Sequence, residues 1–322
     1  MRYIDLHCDT LMNCFLDGVL LRDNNQQFDL SRSKDAGLML QCMAIFIPTN
    51  DVAKKHGVQA APEYYFHACL EVYNAAMEEN RDIVAPVLSA GDIAKNAEDG
   101  KMSALLTLED GVIVGGKLER LKDLYKLGVR LITLTWNYEN CFGFPQSADA
   151  DAMKLGLKPF GIEAVSYMNE LGIVIDVSHL SEGGFNDVAR YSRKPFAASH
   201  SCSRALCDVS RNLNDRQLRV LGEKGGVCGV SFVPAFIKKD SVSADTDSVV
   251  RHIRYIADKA GIDAVAFGSD FDGFSGELEF KDCAGMPILI DELSKVFPER
   301  EVEKICSGNA LRLLNDNLVQ LG

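Results

Sequence analysis

The chain has 322 residues, 47% of them hydrophobic and 25% charged, which is enough for one large domain with a substantial core. Its formal net charge of −12 argues against a nucleic-acid or anionic-membrane partner, because neither attracts an acidic surface. No apolar stretch is long enough to span a bilayer, no signal-like segment opens the chain, and the ten cysteines include no C-x-x-C pair. We therefore expect a cytoplasmic protein with free thiols.

Short apolar runs alternate with longer amphipathic stretches along the whole chain. Eight runs predict buried strands: Tyr3–Leu6, Met39–Ile47, Ala104–Leu108, Arg130–Thr135, Gly172–Val177, Pro195–Ala198, Gly226–Val233 and Ala264–Phe267. Helices are expected between them, among them Glu63–Glu79, Leu118–Leu127, Pro159–Leu171 and Ser248–Ala260. This alternation predicts an α/β fold, a parallel (β/α)8 TIM-type barrel that forms a single catalytic domain over residues 1–322.

A doubly wound sheet is the alternative for this pattern. No Gly-rich nucleotide fingerprint follows the first strand, which weakens that alternative. No linker, low-complexity tract or internal repeat divides the chain. The segment Asn50–Asp99 is long enough for more than one helix. The segment Asn137–Leu157 is rich in Gly, Asp and Ala and is expected to form a loop over the barrel mouth.

Polar motifs follow several predicted strands at their carboxyl ends. In a barrel these ends converge on one face, where active-site residues lie. The residues placed there are His7 and Asp9 on the first strand, Glu109 on the third, His179 on the fifth, His200 on the sixth and Asp270 on the eighth. Residues two apart on a strand share a side, so His7 and Asp9 both reach inward while Cys8 points outward.

These imidazole and carboxylate groups are ligands that borderline-soft divalent metals prefer. Three histidines and two carboxylates exceed what one catalytic zinc with an open position needs, so we expect two metal ions. Glu109 can bridge the ions through its two oxygens. Such a pair holds a hydroxide, lowers the pKa of its parent water and polarises a substrate carbonyl. Asp270 then stays available for proton transfer.

Each motif also has a purely structural interpretation. The run Asp176–His179 can precede a helix that begins near Ser181, and the motifs after Glu109 and Gly268 can be turns. Such interpretations would have to hold at several strand ends at once, which favours the metal site. Three further histidines lie in helical segments and are expected to be surface, packing or solvated residues: His56, His67 and, as a solvated residue, His252.

Arg211 follows the His200 motif closely, in Ser210-Arg211-Asn212. A fixed guanidinium there can hold a substrate carboxylate with two hydrogen bonds, although a surface Arg in a loop fits the sequence equally well. Trp136 and Tyr138, after the fourth strand, are candidates for the wall of a substrate pocket. A core position is the alternative for Trp136.

Together these motifs resemble those of the membrane (renal-type) dipeptidase family, including its bacterial zinc dipeptidases, over nearly the whole chain. The resemblance extends to Gly268–Gly273 and to Gly308–Arg312 near the end. It implies a metal-dependent hydrolase barrel with two zinc ions. The implied roles are His7 and Asp9 on one ion, His179 and His200 on the other, Glu109 as the bridge, Asp270 for protons and Arg211 for the substrate's carboxylate.

The family hydrolyses dipeptides, and many members accept a C-terminal D-residue. The resemblance therefore implies a dinuclear zinc dipeptidase that acts on short peptides through a metal-bridging hydroxide. One residue departs from the family pattern, because Trp136 stands where well-studied members carry a substrate-positioning His. An indole N–H donates a hydrogen bond but carries no positive charge near neutral pH, so either Asn137 or Tyr138 compensates or the substrate range differs. Phe236, where relatives can carry a Tyr, also indicates that the substrate range differs.

Two alternatives remain open. The barrel can be an amidohydrolase that acts on N-acyl amino acids, lactones or related amides, or a metal-bound protein with a binding or regulatory role. The complete ligand set and Asp270 count against the regulatory role, and Trp136 is the only feature that favours it. The resemblance is compatible with a homodimer, but no exposed apolar stripe in the sequence supports one.

Overall fold

A closed barrel of eight parallel strands forms the centre of the structure, a computed structural model that describes residues 1–318. The strands are β1 (Tyr3–Cys8), β2 (Leu38–Phe46), β3 (Val84–Pro86), β4 (Met102–Glu109), β5 (Leu131–Thr133), β6 (Val174–Asp176), β7 (Ala197–Ser201), β8 (Val227–Val230), β9 (Ser243–Ala244), β10 (Val265–Phe267) and β11 (Glu277–Leu278). Pairing runs in the order β1-β2-β4-β5-β6-β7-β8-β10, and β10 pairs back with β1. The predicted (β/α)8 barrel is confirmed, and each predicted strand overlaps a barrel strand.

Helices connect the barrel strands. They are α1 (Thr10–Asp17), α2 (Leu30–Asp35), α3 (Asn50–Lys55), α4 (Pro62–Glu79), α5 (Ala90–Glu98), α6 (Leu118–Lys126), α7 (Pro159–Leu171), α8 (Glu182–Tyr191), α9 (Asp215–Glu223), α10 (Pro234–Ile237), α11 (Thr246–Ala260), α12 (Met286–Ser294), α13 (Glu299–Glu303) and α14 (Asn309–Asn317). The predicted helices correspond to α4, α6, α7 and α11, with closely similar boundaries. Within residues 1–318, no helix combines the length and apolar character needed to cross a membrane.

Two apolar layers follow from the alternation of side chains along the strands. The larger cluster lies between strands and helices and includes Cys8, in agreement with its predicted outward orientation. The smaller cluster takes one or two residues from every barrel strand and is closed by Leu313 and Leu314 of α14. Because these residues fill the amino end of the barrel interior, polar side chains lie at the carboxyl end.

The two long connections differ in organisation. The segment Asn50–Asp99 holds α3, α4, β3 and α5, so it contains more than one helix as predicted. The three residues of β3 pair with the start of β4, and β5 pairs with its end, so the two short strands share one edge. The segment Asn137–Leu157 is mostly loop and is tied to the residues after β6, because the Gln146 amide donates to the carbonyl of His179 at 2.7 Å.

The barrel closes at a seam where its first and last strands meet. Asp5 of β1 pairs with Phe267 of β10, and Cys8 forms a bridge with Phe271 just beyond β10. The Asp270 amide donates to the carbonyl of His7 across the same seam at 3.1 Å. Residues from distant parts of the chain therefore meet at one edge of the barrel mouth.

Candidate active site

Six acid and imidazole side chains meet at the carboxyl end of the barrel, and they are the residues singled out by the strand-end motifs. His7 lies in β1 and Asp9 just after it, Glu109 is the last residue of β4, His179 follows β6, His200 lies in β7 and Asp270 follows β10. All six are buried. The parallel barrel is what brings them together, because the carboxyl ends of its strands share one face.

Glu109 lies between the three histidines. Its Oε2 is 3.5 Å from Nε2 of His7. Its Oε1 is 3.1 Å from Nε2 of His179 and 3.4 Å from Nε2 of His200, and those two nitrogens are 3.1 Å apart. Nε2 of His7 is also 3.3 Å from Oδ2 of Asp9. Oε2 of Glu109 therefore faces His7, whereas Oε1 faces His179 and His200.

Left-handed backbone conformations orient two of these residues. His179 has a φ of 67° and Asp270 a φ of 66°, in a region that residues with a Cβ adopt infrequently. The Gln146 amide holds the carbonyl of His179, and the Gly273 amide donates to the carbonyl of Asp270 at 3.0 Å. The surrounding loops thus maintain a conformation that costs energy, as is common at functional sites.

The site concentrates negative charge in a buried space. Burial raises the pKa of Glu109 to about 8, with the neighbouring charge of Asp9 as the next cause. Burial also raises the pKa of Asp270 to about 7. Three buried carboxylates so close together require positive charge to remain ionised together.

The imidazoles around these carboxylates differ in whether their surroundings favour the neutral or the protonated ring. Burial lowers the pKa of His179 and of His200 well below the ordinary value, and the positive charge of Arg211 adds to the effect on both. Burial opposes protonation of His7 as well, but the carboxylates of Asp9 and Glu109 outweigh it and raise the pKa of His7. Neutral imidazoles with free Nε2 lone pairs are the form that binds metal.

These residues fit divalent metal ions. Within residues 1–318, the sets of donor atoms that lie close enough to share an ion include His7 with Glu109 and His200, and His7 with Asp9 and Asp270. The Nε2 atoms of His179 and His200 and Oε1 of Glu109 lie equally close together. Oδ1 of Asp9 is buried and has no hydrogen-bond partner among the described residues, as expected for a ligand oxygen. Bound cations would also compensate the charge of the three carboxylates.

Comparison with known proteins establishes the family. A model of the membrane dipeptidase family (peptidase family M19) matches residues 1–320. The chain belongs to the membrane dipeptidase family. It is therefore a hydrolase of the metallopeptidase class that acts as a dipeptidase, and the resemblance seen in the sequence is confirmed.

Curated relatives agree with this membership. The dipeptidase aclJ of Aspergillus oryzae is 30% identical over 295 residues, which cover 90% of this chain and 70% of that protein. An uncharacterized protein encoded in the pqqA 5′ region of Klebsiella pneumoniae is 38% identical over 240 residues, which cover 71% of this chain and 87% of that protein.

Solved structures of dipeptidases share the whole fold. A metallopeptidase described as dipeptidase AC superposes with a TM-score of 0.89 at 27% identity, over 99% of both chains. A metallopeptidase from Rhodobacter sphaeroides, liganded with a phosphinate mimic of the dipeptide L-Ala-D-Ala, superposes with a TM-score of 0.86 at 27% identity, over 98% of this chain and 99% of that one.

In this dipeptidase a cavity of about 450 Å³ opens onto the acid and imidazole residues. Asp9, Glu109, His179 and Asp270 all contribute to its lining. Four aromatic side chains also line it: Phe46, Trp136, Phe236 and Phe274. A cavity of this size, with aromatic walls and a few polar groups, is typical of a site for a small molecule.

Trp136 forms part of the cavity wall. Its ring centroid is 5.0 Å from that of Phe46 and 5.9 Å from that of His179. The side chain is half-buried, so a core position does not describe it. An indole thus stands directly beside a candidate metal ligand.

The two residues after Trp136 lie in different surroundings. Asn137 lines the cavity, but its Oδ1 is 3.1 Å from Nδ1 of His179 and so accepts a hydrogen bond from that ring. Tyr138 is not among the residues that line the cavity. It faces an adjacent pocket beside α3, with its ring centroid 6.2 Å from that of Trp136.

Arg211 is buried, so the alternative of a surface Arg is wrong. Its guanidinium donates to Oγ of Ser201 at 3.0 Å and to the carbonyl of His200 at 2.9 Å. Its Nε has no partner among the described residues. The guanidinium carbon is 5.4 Å from the ring centroid of Phe236, a residue of the cavity wall.

Sequence reasoning missed one wall of the cavity and the burial of one histidine. Lys55, at the end of α3, and the adjacent His56 line the cavity. His56 is exposed, in agreement with the prediction of a surface residue. His252 is buried, not solvated. Its Nδ1 accepts from the Ser203 amide at 3.1 Å, and its Nε2 donates to the carbonyl of Ile237 at 3.0 Å.

Gly273 leaves no room for a side chain beside the carboxylates. A Cβ there would lie 2.2 Å from Oδ2 of Asp9 and 2.5 Å from Oδ1 of Asp270. We expect Gly273→Ala to displace both carboxylates and to weaken Zn²⁺ binding by about 10–100-fold in competition with a chromophoric chelator.

The control for this substitution is Gly91→Ala in α5, where a Cβ would meet only the Ser89 hydroxyl, at 3.8 Å. This variant should bind Zn²⁺ as the wild type does. Wild-type affinity in Gly273→Ala would contradict the placement of Asp9 and Asp270 at the metal site.

Proposed function

We propose that this protein is a dinuclear zinc dipeptidase that accepts dipeptides with a C-terminal D-residue. The position of Glu109 is the observation that supports two ions most directly, because one of its oxygens faces His7 and the other faces His179 and His200. His7 and Asp9 would hold one ion, His179 and His200 the other, and Glu109 both. When bound, two zinc ions supply an activated water and polarise the scissile carbonyl.

Zinc is favoured over calcium and magnesium by the types of donor. Three imidazole nitrogens and the carboxylates of Asp9 and Glu109 are ligands that zinc accepts in catalytic sites. Calcium and magnesium prefer sites built from oxygen alone. The absence of a cysteine from the six residues excludes a structural thiolate site at this position.

Asp270 is assigned the proton transfer. Its Oδ1 is 3.9 Å from Nε2 of His7, and it lines the cavity where a substrate would lie. In the metal-free protein burial raises the pKa of its carboxyl to about 7. A carboxylate beside the substrate can accept and donate a proton. In this role Asp270 takes a proton from the attacking water and delivers it to the departing amine.

Arg211 and Trp136 are assigned to substrate binding. The Nε of Arg211 has no hydrogen-bond partner among the described residues, and the buried charge of the guanidinium would attract the C-terminal carboxylate of a dipeptide. The indole of Trp136 would pack on the substrate and donate one hydrogen bond. Acceptance of a D-residue is supported by the similar structure from Rhodobacter sphaeroides, which holds a mimic of L-Ala-D-Ala.

A hydrolysis panel tests this substrate class. With zinc-loaded protein, we expect turnover of L-Ala-L-Ala and L-Ala-D-Ala and little turnover of N-acetyl-L-alanine, as measured by release of free amino acid. The variant Trp136→His in the same panel shows whether the indole narrows specificity. Turnover confined to the N-acylated substrate would overturn the peptidase assignment in favour of an amidohydrolase.

We also propose that the protein acts in the cytoplasm. All ten cysteines are free thiols, and all but Cys141 are buried, which suits a reducing compartment. Fractionation of the source cells is the direct test, and recovery in an extracellular or periplasmic fraction would contradict it.

A further inference from the structure

The three candidate metal-binding histidines differ in what supports the ring nitrogen opposite Nε2. Nδ1 of His200 is 2.8 Å from Oγ of Ser199. Nδ1 of His179 is 3.1 Å from the amide oxygen of Asn137. Nδ1 of His7 is buried and has no partner among the described residues. Only His200 is supported by a hydroxyl group.

This hydroxyl is tied to a buried carboxylate. Ser199 donates from Oγ to Oδ2 of Asp176 at 2.6 Å, and Thr133 donates to the same oxygen at 2.6 Å. Oδ1 of Asp176 accepts from the amides of Ser178 at 3.0 Å and of Ser199 at 2.8 Å. Four donated hydrogen bonds offset the cost of burying the charge of Asp176, which is 0% exposed.

The hydrogen bonds of Ser199 determine which ring nitrogen of His200 carries the proton. A serine hydroxyl has one proton, and in Ser199 it points to Asp176. Oγ of Ser199 can therefore only accept from His200, so the ring proton of His200 lies on Nδ1 and the lone pair of Nε2 points towards Glu109. This is the tautomer that binds a metal through Nε2.

A second pair of the same kind, across the barrel, does not reach an imidazole. Ser269 Oγ donates to Oδ2 of Asp5 at 2.6 Å, and the Ser269 amide donates to Oδ1 of Asp5 at 2.8 Å. Oδ1 of Asp5 also accepts from the His7 amide at 3.3 Å, whereas Nδ1 of His7 has no partner among the described residues. This pair therefore holds the backbone of β1, and only the pair formed by Asp176 and Ser199 acts on a ring.

We propose that Ser199 is a positioning residue that transmits the negative charge of Asp176 to His200, fixes its tautomer and strengthens Nε2 as a donor to one of the two ions only. The inference rests on the proposed dinuclear site. It assigns Asp176, which the sequence motif placed near His179, to the support of His200. The backbone of Ser199 is itself fixed by close packing, since a Cβ on Gly268 would lie 1.8 Å from its carbonyl oxygen.

Zinc binding by Ser199→Ala tests the proposal. Titration of Zn²⁺ against a chromophoric chelator should give two dissociation constants for the wild type. In Ser199→Ala one of them should weaken by about 10–100-fold while the other stays within about threefold, because only His200 loses its support. Ser199→Thr keeps the hydroxyl and should restore the weakened constant.

Ser178→Ala is the matched control. Ser178 is an equally buried serine beside Ser199, and its hydroxyl accepts from the backbone amide of His200 at 3.1 Å without contacting an imidazole nitrogen. Both dissociation constants should stay within about threefold of the wild type. Equal weakening of both constants in Ser199→Ala, or none, would overturn the proposal.

A spectroscopic measurement keeps the test independent of folding in the variants. In zinc-loaded wild-type protein labelled with ¹⁵N-histidine, His200 should show a slowly exchanging Nδ1 proton, because that proton is hydrogen-bonded to Ser199. An unprotonated Nδ1 of His200 would overturn the inference even if no variant folds. A wild type that binds fewer than two zinc ions would instead overturn the proposed function, so the two failures are distinguishable.

Discussion

Replacing Glu109 with Gln is expected to lower kcat/KM for dipeptides by about three orders of magnitude or more, a loss of about 4 kcal/mol of transition-state stabilisation. Gln has the same shape but only one oxygen, and its amide nitrogen cannot bind a metal. Because the two oxygens of Glu109 face different groups of candidate ligands, the variant would lose the contact with one of the two proposed ions. Steady-state hydrolysis and metal content per chain measure the effect.

Glu119→Gln on α6 is the matched control, because Glu119 is exposed and is not among the residues that line the cavity. Its kcat/KM and zinc content should equal those of the wild type. The far-UV circular dichroism of Glu109→Gln should also equal that of the wild type, since β4 is paired along both edges. Wild-type activity in Glu109→Gln would exclude this residue as the shared ligand.

Removal of the metal with a chelator is expected to abolish activity and to make the folded state less stable as the pH rises from 6.5 to 8. The pKa of Glu109 is raised to about 8 and that of Asp270 to about 7 by burial, so the metal-free folded protein binds protons that the unfolded chain has released. Stability therefore falls as the pH rises through this range. The raised pKa of His7 acts in the same direction.

His179 and His200 set the lower limit of this pH range. The pKa values of His179 and His200 are lowered by burial, so these rings oppose folding below pH 6.5, where the unfolded chain protonates them, and have no effect above it. Urea unfolding of metal-free protein at several pH values measures the slope. Metal-loaded protein, in which cations compensate the carboxylates, should lose most of this slope. A metal-free protein that becomes more stable from pH 6.5 to 8 would contradict the prediction.

The barrel could be predicted because its strands can be recognised from short stretches of the sequence. Each long strand is an apolar run, and such runs are recognisable without knowledge of their partners. The strands β3, β9 and β11 were not predicted, and all three lie outside the closed barrel. Their pairing depends on neighbours distant in the chain, as when β9 pairs with β11 outside the barrel.

The candidate metal ligands were predictable for a related reason. A polar residue after an apolar run has a known place in a parallel barrel, at the carboxyl face. Residues that reach the site from a connecting segment do not follow an apolar run, so the sequence did not indicate them. His56 follows α3, in the connection between β2 and β4, and lines the cavity from there.

Burial was the property that the sequence predicted least well. Arg211 and His252 both lie in polar surroundings in the sequence, yet both are buried and bound to backbone carbonyls. Their partners belong to other elements, so neither burial nor hydrogen bonding is visible in the local pattern. The same applies to Ser199, whose carboxylate partner lies on the preceding strand.

The seam between β1 and β10 gives the site an order of assembly during synthesis, which proceeds from the amino terminus. The proposed metal ligands are all present once His200 has been made, whereas Asp270 follows the strand that closes the barrel. A nascent chain can thus carry every proposed ligand and still lack its proton-transfer group. Truncation before β10 would therefore remove Asp270 together with the strand that closes the barrel.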